Sequence, residues 1–466
     1  MLKNIYNTFA NSFRIPELKS RILFTIGLLS VVRLLAYITI PGLNSAALVQ
    51  YFDKAQTNGG GLMGMYNTFA GGAYEHCAVG SLGIMPYISA TIIIQLLTAV
   101  WPRLSKLARE EGGRTKIIQY GRVGTLILCV LQGAYFANNW LNPQGVFKNF
   151  TAQLVLTPNH FLYMFETVTI MTAGTMLLMW LGEQISERGI GNGVSLVITI
   201  GIVARLPQAF VELKDMFFPS GDVPANYTVF GTGLLLLILL AVVIGGVIAI
   251  TQAQRKIPVQ YAQRAVGRKM MGGGTSFMPL KVNYAGVMPI IFAQSILMFP
   301  ETIFSKLAEW SAHGSFAFLH GLFVNLEVSL NYGSFGYMTL DALMILFFSY
   351  FWVATQFNEL QIADDLKKNG GYIPGVRPGQ GTSDYLHKAM SRITLAGAVF
   401  LMLIATIPIV LARQLSIPQN VAQFFGGTSI LISVGVMLDT MRQMESHLMM
   451  RNYDGFLKKG RIRGRL

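Results

Sequence analysis

Long apolar stretches alternate with short polar segments along nearly the whole chain. A helix needs roughly 20 apolar residues to cross the hydrocarbon core of a bilayer, so this pattern predicts ten membrane-spanning helices. The predicted spans cover residues 22–40, 79–100, 117–137, 161–181, 190–211, 232–253, 283–299, 337–357, 393–411 and 422–441. The expected fold class is therefore an all-α membrane protein with ten transmembrane helices.

Composition and charge agree with this fold class. Charged residues make up 12% of the 466 positions and hydrophobic residues 52%, whereas soluble proteins carry about 25% charged residues. Most of the 36 lysines and arginines lie in loops on one side of the predicted spans. Because basic loops stay in the cytoplasm, we expect both termini there and an even number of spans. The net charge of +14 reflects this topology rather than DNA binding. The N-terminus lacks a signal-peptide cleavage site, so the first span is expected to be retained.

Two glycine- and proline-interrupted stretches resemble each other. GIMPYISATIIIQLL runs from Gly83 to Leu97, and GVMPIIFAQSILMFP runs from Gly286 to Pro300. Broken apolar segments at corresponding places of two halves point to the working site of an inverted-repeat membrane protein. We therefore expect two inverted, pseudo-symmetric five-helix halves around a central pore.

This organisation predicts a set of boundaries along the chain. They are a cytoplasmic N-terminal segment at 1–21, an N-terminal half at 22–211, a periplasmic hinge loop at 212–231, a C-terminal half at 232–441 and a basic cytoplasmic tail at 442–466. The C-terminal half contains two long cytoplasmic loops, 254–282 and 359–392. Loops of this length in a compact protein are usually functional, and their basic character suits partner binding. They could also only set topology or touch anionic lipid.

The sequence contains no enzyme signature. GIGNGV, at Gly189 to Val194, has no strand before it, and GGGT at Gly272 lacks the lysine of a phosphate-binding loop. Two cysteines give neither a disulfide framework nor metal-ligand spacing. We predict no catalytic residue, metal or cofactor, and expect both cysteines to be buried apolar residues.

Charged residues within spans give little support for ion coupling. A coupled carrier needs ionisable groups inside its spans, but Asp341 and Asp439 lie near span ends, where snorkelling explains them. Arg33 and Arg122 lie deeper and are expected to brace neighbouring helices.

The interrupted helices instead offer aliphatic residues at helical spacing. They are Ile84, Ile88, Val194, Ile198, Met288, Ile291 and Ile432. A narrow ring of such side chains would exclude water and ions and could part around a chain. Side chains that face lipid or core produce the same spacing, so this alternative stays open. Ser89, Thr91, Gln95 and Asn283 are polar residues in apolar helices and can either form a weak interhelical latch or simply hold helices together.

Several motifs together make the chain similar to a known family. They are GLMGMYNTFAGGA followed by GIMPYISATIIIQLL, GEQISERGIGNGVS, RKIPVQYAQR, KVNYAGVMP, GGYIPGVRPGQGT and FGGTSILISVGVMLD. The sequence resembles the bacterial SecY family, whose members form the central subunit of the protein-conducting channel. The motifs extend from the first span to the tail.

This resemblance implies roles for particular residues. The pore ring of the family would consist of the seven aliphatic residues above, with Val194 and Met288 in place of the usual isoleucines. The plug would consist of Leu62, Met63, Gly64, Met65, Tyr66, Asn67, Thr68, Phe69, Ala70, Gly71, Gly72 and Ala73. The lateral gate would lie between spans two and three and spans seven and eight, with Ser89, Thr91, Gln95 and Asn283 along it. Docking of a motor or ribosome would use Arg255, Lys256, Arg264, Arg268, Lys269 and Arg377.

The resemblance also implies function, partners and location. The chain would be a passive pore in the bacterial inner membrane that conducts unfolded polypeptides and releases transmembrane segments into lipid. SecA with ATP, the ribosome or the proton-motive force would supply the energy. SecE and SecG would be companion subunits, with SecDF and YidC as further candidates. A secondary transporter of small solutes and a ribosome-binding membrane scaffold are the alternatives.

Overall fold

The computed structural model describes most of the chain at residue level. The described residues are 15–55, 61–110, 112–143, 150, 152–217, 227–261, 264–266, 269–271, 274–312, 317–331, 333–414, 421, 424 and 428–459.

Sixteen helices account for most of the described residues. They are α1 Pro16–Leu35, α2 Ser45–Ala55, α3 Gly61–Phe69, α4 Met85–Val100, α5 Pro102–Arg109, α6 Gly113–Leu141, α7 His160–Arg188, α8 Gly193–Ala204, α9 Leu206–Phe217, α10 Tyr227–Gln252, α11 Met288–Ala312, α12 Ala317–Leu330, α13 Phe335–Gln356, α14 Glu359–Lys368, α15 Gln380–Gln414 and α16 Thr428–Lys459.

Every predicted span contains one of these helices. Within the described chain, six stretches are long and apolar enough to cross a membrane, namely Gly113–Leu141, His160–Arg188, Gly193–Lys214, Gly233–Gln252, Phe335–Lys368 and Gln380–Ile407. Met85–Val100 and Pro102–Ala108, which meet at a bend of 103°, would count as a seventh. Helices α1, α11 and α16, at the predicted first, seventh and tenth spans, are more interrupted by charge or proline.

The surface of α6 is typical of a helix in lipid. Val123, Ile127, Val130 and Leu131 are exposed large apolar side chains on this helix. Positions separated by three and four residues share a helix face, so these side chains form an apolar stripe. A soluble protein rarely leaves such a stripe uncovered. The chain is a multi-pass, mostly helical membrane protein.

Local chemistry corrects several predicted span boundaries. Helix α1 ends at Leu35 rather than Ile40, and Thr39 instead forms a β-bridge with Ala78. The second span becomes helical only at Met85, where Pro86 occupies the first turn, a position that tolerates proline because its N–H is not needed. The fifth span breaks into α8 and α9 at Arg205.

Side-chain caps define several helix starts. The Asn159 side chain accepts from the backbone N–H groups of Phe161 and Leu162 at the start of α7, and the Asn192 side chain accepts from the Ser195 N–H at the start of α8. These bonds satisfy donors that the first helical turn leaves open.

The predicted cytoplasmic loops contain a small sheet. Strands β1 Gln254–Tyr261 and β4 Thr275–Lys281 pair antiparallel, and β5 Gly371–Tyr372 pairs with the other edge of β1. Strands β2 Arg264–Val266 and β3 Lys269–Met271 form a separate hairpin. Along β1, Ile257 and Val259 are buried while Lys256 and Pro258 are exposed, the alternation expected of a strand with one covered face.

The contacts divide the chain into two compact units. One comprises residues 1–225, 418–421 and 432–466, and the other comprises 226–417 and 422–431. The boundary at residue 225 falls within the predicted hinge loop, of which 218–226 lie outside the described residues. The inverted repeat and the proposed halves stay predictions.

Candidate functional site

The best-defined candidate site is the 62–73 segment of the first unit. It begins within α3 and continues into a series of turns that leads to Ile84. Tyr66, Asn67, Phe69 and Ala73 are buried. The side chains of Leu62, Met63 and Met65 lie outside the described set. A segment of this composition is too broken to span a bilayer, yet it is packed inside the protein.

A close backbone contact lets the segment approach α8. Gly71 has a φ of 67°, which favours glycine. A Cβ atom built on Gly71 would lie 2.8 Å from the Cα of Gly201. The Arg33 Nη1 group donates to the Gly71 carbonyl at 2.9 Å. Arginine from α1 therefore binds the segment at the point where it touches α8.

Glu75, just after the segment, is the centre of a polar cluster. Its carboxylate pairs with the Arg205 guanidinium, and the two side chains are only 13% and 11% exposed. The Asn67 Nδ2 group donates to Glu75 Oε2 at 2.6 Å, and the Glu75 N–H donates to Asn67 Oδ1 at 3.2 Å. Arg205 Nη1 also lies 3.5 Å from Thr68 Oγ1. This cluster joins the segment to the α8–α9 junction.

Aromatic residues hold the other side of the segment against α6. The Tyr66 and Phe136 rings lie 4.9 Å apart, and Tyr74 lies 5.0 Å from Phe136 and 5.5 Å from Trp140. The Tyr66 hydroxyl donates to the Leu82 carbonyl at 2.8 Å. Offset and edge contacts of this kind favour a fixed ring geometry.

A small cleft lies beside the segment within the same unit. It has a volume of about 20 Å³, enough for little more than one water molecule. Phe69 and Ala70 of the segment line it together with Ile84, Val197 and Arg33. The segment therefore occupies the space next to the first predicted pore-ring residue.

The structure places the predicted ring residues in different surroundings. Ile84, Ile88, Ile198, Ile291 and Ile432 are buried, and Val194 and Met288 are half-buried. In the first unit Ile84 shares the cleft with Val197 rather than with Val194. These side chains do not face outward, as a lipid-facing stripe would. The complete ring stays a prediction.

The predicted lateral-gate residues form mainly local contacts in the described chain. Thr91 Oγ1 donates to the Tyr87 carbonyl one turn earlier, and Asn283 Nδ2 donates to the Gly286 carbonyl at 3.0 Å. Ser89 is buried and Gln95 is half-buried. Their assignment to a gate stays a prediction.

The predicted docking residues lie on the sheet and the turn after it. Arg255 and Lys256 are exposed on β1, and Arg377 is exposed after β5. Arg264 and Lys269 lie on β2 and β3, but their side chains are not described, and Arg268 lies outside the described residues. Exposed guanidinium and ammonium groups can bind carboxylates or phosphates.

Two expectations about single residues are confirmed and one is wrong. Cys77 and Cys129 are both buried and free. Arg33 bonds the Gly71 carbonyl, while Arg122 pairs with Glu183 of α7, with N–O distances of 3.1 and 2.8 Å, so both brace neighbouring segments. Asp341 does not snorkel, because its side chain is buried in α13 with 3% exposure.

Sequence reasoning missed the Glu75–Arg205 pair. Arg205 falls within the predicted fifth span, where a charged side chain needs a partner, and this was the available signal. The partner itself is 130 positions away, a distance at which one sequence gives no pairing information.

Comparison with known proteins decides the family. The SecY family model matches residues 78–441. The chain belongs to the SecY family. A SecY translocase subunit of Chlamydia trachomatis is 42% identical over 98% of this chain and 99% of its own length. That of Vibrio cholerae is 42% identical over 97% of this chain and 96% of its own.

Solved structures agree on the fold. A solved structure of SecY matches with a TM-score of 0.57 at 18% identity, and the match covers 91% of each chain. In that protein, the plug domain stabilises the closed state of the translocation channel and maintains a membrane seal. The yeast Ssh1 complex bound to the yeast 80S ribosome matches with a TM-score of 0.58 at 15% identity, over 90% of this chain and 88% of that one. The ten-helix topology predicted above is consistent with the SecY family.

Proposed function

We propose that this protein is the channel-forming subunit of a protein translocase. It conducts unfolded polypeptides across the membrane and releases apolar segments sideways into lipid. The observation that carries the proposal is the packing of the 62–73 segment beside Ile84. A broken, glycine-rich segment held in such a place by a few contacts acts as a stopper that can leave. The translocase names of the SecY relatives support the same function.

The aliphatic residues explain how one pore accepts many substrates. Ile84, Ile88 and Ile198 offer no hydrogen-bonding group that would select a sequence. A narrow apolar constriction excludes water and ions when it is closed. Flexible aliphatic side chains can then part around a passing chain of any composition. Apolar segments of the substrate partition into lipid because burial of apolar surface is favourable. The pore is passive, and it needs an external source of energy.

The exposed basic residues of the sheet are suited to bind that source. Arg255, Lys256 and Arg377 can bind acidic side chains of a SecA motor or phosphates of ribosomal RNA. The ribosome-bound yeast relative in fold supports the ribosome as one partner. We further propose SecE and SecG as companion subunits and SecDF and YidC as occasional partners. The location proposed is the bacterial inner membrane, with both termini in the cytoplasm.

A crosslinking experiment tests the channel directly. A photoreactive residue replaces Ile88, and a ribosome-stalled secretory chain is supplied to membranes that contain the protein. A matched control places the same probe at Leu131, a 62% exposed residue of α6 expected to face lipid. Crosslinks at position 88 but not at 131 are the expected result. A scaffold that only binds ribosomes would give no crosslink at either position.

The second candidate function is a secondary transporter of small solutes. Asp341 favours it, since a carboxylate buried in a membrane helix is by default a candidate for ion or proton binding. Its Oδ1 atom is buried without a hydrogen-bond partner among the described residues. Uptake of solutes into vesicles that contain the protein but no motor or ribosome would support this candidate.

A further inference from the structure

The polar contacts of the 62–73 segment concentrate on one carboxylate. Glu75 pairs with Arg205, accepts from Asn67 at 2.6 Å and lies 3.9 Å from the Nε2 atom of His76. Asn67 belongs to the segment, while Arg205 ends α8. The carboxylate therefore stands between the movable part of the chain and a helix that is expected to cross the membrane.

The surroundings make this pair different from an ordinary surface ion pair. The side chains of Glu75 and Arg205 are 13% and 11% exposed, whereas Arg122 in the pair with Glu183 is 45% exposed. Exposed pairs contribute little because water already solvates both charges. In a buried pair, removal of one partner leaves the other charge without compensation, and the structure is strongly destabilised.

A second arginine, Arg33 of α1, binds the same region. Arg33 donates to the Gly71 carbonyl, and its guanidinium carbon lies 5.4 Å from the centroid of the Tyr37 ring. The Tyr37 ring in turn lies 5.1 Å from that of His76. The segment and the turn after it are thus tied to α1 and to the α8–α9 junction at once.

We propose that the Glu75–Arg205 ion pair is the latch that keeps the 62–73 segment in its closed position. Arg33 supplies the second tie through the Gly71 carbonyl. This inference rests on the proposed function, in which the segment is the stopper of a channel. The aromatic contacts position the segment, but the ion pair sets how readily it leaves, because opening must separate two charges in surroundings that exclude water.

The proposed latch accounts for the positions of Glu75 and Arg205 in the chain. If the pair only stabilised the fold, it could join any two helices, as Arg122 and Glu183 join α6 and α7. Instead Glu75 follows the segment by two residues, where any displacement of the segment pulls on the carboxylate. The bond from Asn67 transmits the same displacement.

Thiol alkylation measures the latch without relying on channel activity. Cys77 is fully buried two residues after Glu75, and Cys129 is fully buried on α6. Intact protein in lipid nanodiscs is treated with a maleimide, and the labelling of each cysteine is followed by mass spectrometry of its peptide. We expect E75Q and R205Q to increase the rate of Cys77 alkylation at least tenfold and to leave the rate of Cys129 alkylation unchanged.

A double-mutant cycle separates a specific pair from two independent effects. If the pair is the latch, Cys77 is alkylated no faster in E75Q/R205Q than in either single variant, because the double variant leaves no unpaired charge in the buried site. R122Q is the matched control, since it removes an ion pair away from the segment, and its Cys77 rate should equal that of the parent protein.

Two outcomes would overturn the latch. The first is an unchanged Cys77 rate in both single variants. The second is an equal acceleration at Cys129, which would mean that the pair holds the whole unit rather than the segment. Failure of the stopper function is detected separately, by a normal resting conductance after deletion of 62–73. If that deletion leaks ions while E75Q and R205Q label like the parent, the stopper stands and the latch is wrong.

Discussion

Gly71 and Gly201 approach so closely that a Cβ atom on Gly201 would lie 3.3 Å from the Cα of Gly71. The contact joins the 62–73 segment to α8 with nothing but backbone between them. Such packing is tight but weak, because neither residue contributes a side chain to the interface. We therefore expect the segment to be displaceable as a unit, although it is packed inside the protein.

The first prediction concerns this contact. Gly201→Val should push the segment away from α8 and increase both Cys77 alkylation and the resting ion conductance. Overpacking of this kind costs about 1–3 kcal/mol, which corresponds to roughly a five- to 150-fold larger open population. Planar-bilayer recordings measure the conductance.

A control variant for Gly201 is available in another helix. Gly121 lies in α6, and a Cβ atom there would meet nothing within 4 Å. Gly121→Ala should therefore leave the conductance at the parent level. Equal conductance of the Gly201→Val channel and the parent channel would contradict the idea that the segment must lie this close to α8 when the channel is closed.

The second prediction tests the segment itself. Deletion of residues 62–73 should raise the resting conductance, since the cleft beside Ile84 would lose Phe69 and Ala70 from its lining. Export of secretory proteins should persist, because none of the deleted residues is among those proposed to dock the motor. A deletion channel that is as tight as the parent would rule out the stopper.

The third prediction concerns docking. Arg377→Glu should abolish motor-driven export in inverted vesicles, because an acidic group at the turn after β5 would repel acidic or phosphate-bearing partners. Membrane insertion of the variant itself should be normal, as judged by its amount in washed membranes. Lys388→Glu, an equal charge change at an exposed position near the start of α15, should export at close to the parent rate. Normal export by Arg377→Glu would remove the case for docking there.

The fourth prediction separates the channel from a solute carrier. Asp341→Asn keeps the shape of the buried side chain but removes the carboxyl group that could bind and release a proton or another cation. A polypeptide channel should translocate at the parent rate in this variant, within about twofold. A carrier coupled through Asp341 would instead lose solute uptake. Parallel measurements of translocation and uptake in one set of vesicles distinguish the two.

The sequence predicted the helices well because bilayer thickness dictates the length of an apolar stretch. Every predicted span overlaps a helix. Both cysteines are buried as expected, and Arg33 and Arg122 brace neighbouring segments as expected. Span ends were less predictable. The end of α1 at Leu35 is followed by the bridge between Thr39 and Ala78, and Arg205 at the break of the fifth span pairs with Glu75. Both contacts join residues that are distant in sequence, so local hydropathy does not reveal them.

The candidate site was predictable in position and not in chemistry. The resemblance to the SecY family indicated the 62–73 segment. The partners of that segment are distant in sequence: Arg33 lies 38 positions from Gly71, and Arg205 lies 130 positions from Glu75. The sheet was missed for the same reason, because β1 and β5 belong to loops that the sequence treats separately.

The sheet makes the two predicted cytoplasmic loops one structural unit. Gln260 pairs with Tyr372 and Tyr261 pairs with Gly371, so backbone pairing between β1 and β5 joins the two loops. Strand β1 begins at Gln254, two residues after α10 ends at Gln252, so the sheet connects the turn that carries Arg377 to the end of α10. We therefore expect a partner that binds either loop to shift both loops together with the end of α10.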